Sequence, residues 1–135
     1  MALEPARRTA MILPRLGLAL AAAALVGTAA LAHHGWNWAE EQQSQVTGEL
    51  QSVSMNPPHP KIEILAPDGA LWQIELGNPN QTQRAGFTAE TAEPGVAVHV
   101  LGHRAKDGTN LMKAVRITID GTPYDFYPEL IEPQG

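Results

Sequence analysis

The sequence predicts an all-β fold, a small closed barrel of five to six strands with a short helical connection between the third and the fourth, behind a cleaved signal peptide. Three observations predict it. From Val46 onward, short runs of alternating apolar residues are divided by Gly- and Pro-rich turns; no amphipathic helical pattern exceeds about three turns; and the runs come as three strands, a helical link, then two strands. That order is the order of an OB-like barrel, in which a long bent first strand pairs with both halves of the sheet. A small sandwich is the alternative arrangement.

At the N-terminus, Arg7, Arg8 and Arg15 precede an apolar run from Leu16 to Leu31 that closes on small residues at Ala30 and Ala32. A basic segment, an apolar segment and a small-x-small site form a signal peptide over residues 1–32, cut after Ala32. The Arg7-Arg8 pair raises a twin-arginine route, but Thr9, Ala10 and Met11 favour the general secretory one. The run, with Gly17 and Gly27 inside it, is marginal for a bilayer that needs roughly 20 apolar residues, so no membrane partner is expected after cleavage. With no cysteine, lipid attachment, disulfides and thiolate metal ligands drop out. The expected location is periplasmic or secreted.

Residues 33–45 are polar after Trp38 and form an arm that Trp36 and Trp38 pin to the barrel; the barrel itself covers 46–127 and a loose tail 128–135. Val46 to Met55 is the first strand, with Gly48 marking a bend or bulge. Three prolines make Asn56-Pro57-Pro58-His59-Pro60 a stiff, extended loop. Lys61–Ala66 and Leu71–Leu76 form a hairpin about Pro67-Asp68-Gly69, and in the latter Trp72, Ile74 and Leu76 alternate with Gln73 and Glu75. Gln81 to Ala85 gives one or two helical turns, and Thr88 caps a second short one. Pro94-Gly95 leads into Val96–His103, with Val96, Val98 and Val100 on one face and Ala97, His99, Leu101 and His103 on the other. Lys106-Asp107-Gly108 turns into Leu111–Ile119, where alternation puts Lys113 on the face of Val115, Ile117 and Ile119; Thr122–Tyr127 is a short edge strand. The expected core is Ile74, Val96, Val98, Val100, Val115 and Ile117.

The chemistry concentrates at the cleavage site. A cut after Ala32 frees the amine of His33 beside its own imidazole and that of His34, a nitrogen set suited to copper, zinc or nickel. His59, held between Pro58 and Pro60, is a third candidate ligand, presented at little entropic cost. Terminal histidines are as often loose leader remnants, and a loop histidine more often bonds a backbone group. His99 and His103 are about 13 Å apart along one strand and do not share a metal; they read as surface or barrel-mouth groups. Trp72 and Glu75 are candidates for a ligand face.

After residue 32 the chain keeps six of its nine Lys and Arg and thirteen of its fourteen Asp and Glu, a net charge of −7. An acidic domain without a basic stripe is expected to take no nucleic acid. Enzyme signatures are thin, with no Gly-x-Ser-x-Gly elbow and no His-Glu-x-x-His, so no enzyme is expected. Three functions stay open: a periplasmic module holding copper or another nitrogen-preferring metal through His33, His34 and His59; a non-metal module for a small ligand or another periplasmic protein; and a copper oxidoreductase.

The succession Ala32-His33-His34-Gly35-Trp36, Asn56-Pro57-Pro58-His59, Trp72-Gln73-Ile74-Glu75-Leu76, Gly86-Phe87, Pro94-Gly95-Val96-Ala97-Val98 and Lys106-Asp107-Gly108 resembles an exported bacterial family, domain of unknown function six-one-five-two. The resemblance covers nearly the whole mature chain. Gly35 stands where the family usually has Ser, and an extra proline precedes His59. The resemblance implies export and fold and lends no activity.

Overall fold

The computed structural model describes residues 35–133. The expected signal peptide, with His33 and His34, lies outside them. Six strands appear: β1 (Ser44–Ser54), β2 (Lys61–Leu65), β3 (Leu71–Glu75), β4 (Ala97–Arg104), β5 (Leu111–Ile119) and β6 (Thr122–Asp125). One helix, α1 (Pro79–Arg84), links β3 to β4. The hydrogen-bonded order is β3-β2-β1-β4-β5-β6, and a parallel pairing of β3 with β5 closes the first five strands into the OB-type barrel, leaving β6 as an addition to β5. Among the described residues no helix is long and apolar enough to cross a membrane.

β1 is shared between both halves because it bends. Residues Ser44 to Glu49 pair with β4, and Glu49 to Ser54 pair with β2, with a register shift between Leu50 and Ser52. At the crossing, a Cβ on Gly48 would lie 2.6 Å from the carbonyl oxygen of Leu65, so only glycine lets the two strands approach so closely. Asn78 caps α1, accepting from the Gln81 N–H while the Gln81 side chain accepts from the Asn78 N–H, and Pro79 fills the first helical position.

The barrel is filled by Leu50, Ile62, Ile64, Ile74, Val98, Val100, Met112 and Ile117, all essentially without solvent exposure, with Phe87 and Phe126 at its side. Of the expected core, Val96 is only partly buried. Four other expectations need correction. No second helical turn forms at Thr88; Thr88 and Thr91 close a hydrogen-bonded turn instead. The tail from Pro128 is not loose: Pro128–Leu130 makes a 3-10 turn, and Gln43 donates to the Leu130 carbonyl. His103 is buried, not a surface group, while His99 is exposed and bonded to the Thr47 hydroxyl at 2.8 Å.

The fourth correction concerns Lys113. β5 faces β4 with Leu101 opposite Arg116 and Gly102 opposite Ala114, so Val115 is an extra residue on β5. That bulge reverses the alternation. Ile117 opposite Val100 points into the barrel, whereas Lys113 opposite His103 points outward.

Candidate functional site

The outward face of β3, β5 and β4 carries a row of three adjacent polar side chains. Register sets Glu75 of β3 beside Lys113 of β5, and Lys113 beside His103 of β4. Each strand supplies its member because apolar neighbours on either side are committed to the interior: Ile74 and Leu76 around Glu75, Met112 and Ala114 around Lys113. The bulge at Val115 is what brings Lys113 into the row.

This face is roofed by both ends of the described chain. The arm is joined to the barrel by the Ala39–Ala105 bridge, with the Lys106 N–H donating to the Trp38 carbonyl. Trp36 packs edge-on against His103 at 5.3 Å and Tyr127 at 4.9 Å between ring centres. Beneath that lid the Lys113 side chain is 2% exposed, and its Nζ donates to Glu75 Oε1 at 2.9 Å. The same ammonium lies 5.5 Å from the Trp36 ring centre and 5.7 Å from that of Tyr127. A buried cation is tolerable only with such partners: a carboxylate for its charge and two π faces for the rest of its surface. Burial first, then the charges of Glu75 and Glu129, push the Tyr127 phenol up to about 12.

His59 reaches the same carboxylate. Its Nε2 is 3.6 Å from Glu75 Oε1, too long for a direct hydrogen bond, and its Nδ1 is sealed from solvent with no hydrogen-bond partner among the described residues. Desolvation, seconded by Lys113 and opposed by Glu75, holds the imidazole below its ordinary value, so the ring is neutral at neutral pH. A neutral imidazole is the form that coordinates metals. The Pro57-Pro58 peptide bond in the loop that carries it is cis.

The sequence-derived candidates are therefore divided. His59 and Glu75 come together, whereas Trp72 does not join Glu75: it is 8% exposed, faces the barrel interior with Ile64 and Ile74, and has the Arg104 guanidinium 5.0 Å over its ring. Trp72 and Glu75 sit on opposite faces of β3, so they form no common ligand surface. No group of three His, Asp or Glu able to hold a metal occurs among the described residues. Sequence reasoning missed Lys113 and Tyr127. A lysine set between the apolar Met112 and Ala114-Val115 is a signal for the first; nothing in the sequence singles out the second.

Beside the row, between the arm, β4 and the 3-10 turn, lies a cleft of about 510 Å³ that includes Trp36, Ala39, His103 and Leu130.

A family model described as a family of unknown function (DUF6152) matches residues 21–113. No curated protein matches. Among solved structures, the chain is similar to the mitochondrial single-stranded DNA binding protein Rim1 from S. cerevisiae, with 18% identity, TM-score 0.46, and coverage of 58% of this chain and 92% of that one. It is also similar to the ZRD-deleted mutant of TiaS in complex with agmatine, with 14% identity, TM-score 0.47, and coverage of 63% of this chain but 26% of that one. The expectation that acidity excludes nucleic acid is corrected here: Rim1, named for binding single-stranded DNA, is among the chains this one resembles, so that exclusion is withdrawn. Likenesses at this level concern the fold and assign this chain no ligand.

Proposed function

The chain belongs to the family of unknown function DUF6152, a membership that carries no activity, and we propose from the site that it is an exported binding module for a nitrogen-preferring metal, Cu(II) foremost. The ligands are His33, with its amine and imidazole, together with His34 and His59. The observation that carries this reading is the path of the arm. Trp36 rests on Lys113, Lys113 bonds Glu75, and Glu75 neighbours His59, so one short series of contacts links the arm to the His59 imidazole. His33 is three residues before Trp36, a reach of at most about 11 Å. A neutral His59 with an unpartnered Nδ1 supports the same assignment. Cu(II) stands highest in the divalent affinity order, and a terminal amine with imidazoles suits its planar geometry.

Intact-mass measurement of protein recovered from the exported fraction tests the premise, with a chain starting at His33 expected. Calorimetry with Cu(II) then tests the site. One ion should bind per chain; His33→Ala should abolish tight binding, His59→Ala should weaken it about tenfold or more, and His99→Ala should leave it unchanged. One alanine added before His33 keeps every imidazole and moves only the amine. Equal affinity of that extended chain and the mature one would overturn the assignment.

A further inference from the structure

The cleft between arm, β4 and C-terminal turn has chemistry of its own. His103 Nδ1 lies 2.8 Å from the backbone carbonyl oxygen of Glu40. A carbonyl only accepts, so the proton sits on Nδ1, and in the neutral ring Nε2 carries the lone pair. That Nε2 makes no hydrogen bond among the described residues and, unlike Nδ1 of His59, is not sealed from solvent. The cleft thus holds an acceptor with no donor from the protein. Trp36 and Leu130 add apolar wall, and the exposed Glu40 and Glu41 lie along it. Its charged groups are those two carboxylates, Glu132 and Lys106, and the Lys106 ammonium is engaged by the Asn37 carbonyl at 2.9 Å.

We infer that this cleft binds a small organic cation, a protonated primary amine on an apolar body, with the ammonium donating to His103 Nε2 and facing Glu40 and Glu41 while the body lies along Trp36 and Leu130. The charge balance disfavours an anion, and a quaternary ammonium would bring no N–H for Nε2. A volume of about 510 Å³ is in the range of small-molecule sites, which are apolar with a few convergent polar groups. An aromatic wall adds attraction for a cation. The inference goes beyond the metal reading, since His33, His34 and His59 take no part in it.

Amide-shift NMR titration of the protein as isolated from its host, with benzylammonium chloride as probe, tests it. Saturable one-to-one binding is expected, with shifts at the Trp36 indole and around His103. Benzyl alcohol, nearly the same shape without charge, and benzyltrimethylammonium, charged without an N–H, should each bind about tenfold more weakly. Glu41→Gln should weaken benzylammonium about threefold and leave benzyl alcohol alone, and His103→Phe should weaken benzylammonium about tenfold. His59→Ala should change nothing, which separates failure here from failure of the metal site. Should His103→Phe not fold, Glu41→Gln decides, because that side chain is exposed. Equal affinity for benzylammonium and benzyl alcohol, an unaltered Glu41→Gln, or no saturation by about 10 mM probe would overturn the inference.

Discussion

Lys113 holds an ammonium at 2% exposure in a domain of modest core, and its partners decide whether that is tolerable. Removing the cation alone leaves the Glu75 carboxylate, itself 15% exposed, without its nearest countercharge. Lys113→Met should therefore cost about 3 kcal/mol in urea unfolding, and adding Glu75→Gln to it should recover most of the loss, because an uncharged pair has no such debt. Tyr127 gives a separate reading of the same lid. Its phenol, ordinarily at 10.0, is pushed to about 12. A group whose folded pKa is raised holds its proton longer in the folded state, so its contribution is intact below pH 10.0 and is lost as pH rises through about 12. Phenolate absorbance during a pH titration should show one late transition near that value, absent in Tyr127→Phe.

Among the elements, β5 shows where a sequence stops being legible. Its bounds, Leu111–Ile119, are those read from alternation alone, and the turns at Asp68-Gly69 and Asp107-Gly108 follow from residues that favour them. Its facing was not legible. Strict alternation groups Lys113 with Val115 and Ile117, and only the pairing with β4 reveals that Val115 is supernumerary. A bulge belongs to two strands at once, so one strand's pattern cannot announce it. The site suffered most, since the row Glu75, Lys113, His103 exists only after that reversal, whereas His59 was found because prolines advertise a rigid loop. Gly102 marks the bulge from the other side: a Cβ there would lie 2.1 Å from the Lys113 carbonyl oxygen and 2.9 Å from Ala114 Cα, all backbone. Gly102→Ala should destabilise the domain by about 3 kcal/mol or more in thermal or urea melts, with Lys113 displaced from Glu75.

At the scale of the whole molecule, five strands make one barrel, and both ends of the described chain return to a single face of it. Gln43 joins the arm to the turn at Leu130, and Trp36 meets Tyr127. The barrel is closed by the parallel seam of β3 and β5, whose register spans only Gln73–Leu111, Ile74–Met112 and Glu75–Lys113. Short parallel ladders are weaker than antiparallel ones, so this is where the barrel opens most readily. Seam amides such as Gln73, which donates to the Asn110 carbonyl at 2.9 Å, should exchange with deuterium sooner than those of the β1–β4 ladder. The last of those three pairs is also the Glu75–Lys113 bond beneath Trp36. Any occupant that fastens the arm therefore also lengthens the lifetime of the closed barrel, and deuterium uptake at Gln73 should slow in proportion to occupancy, making one amide a reporter of binding that takes place on the far side of the sheet from the core.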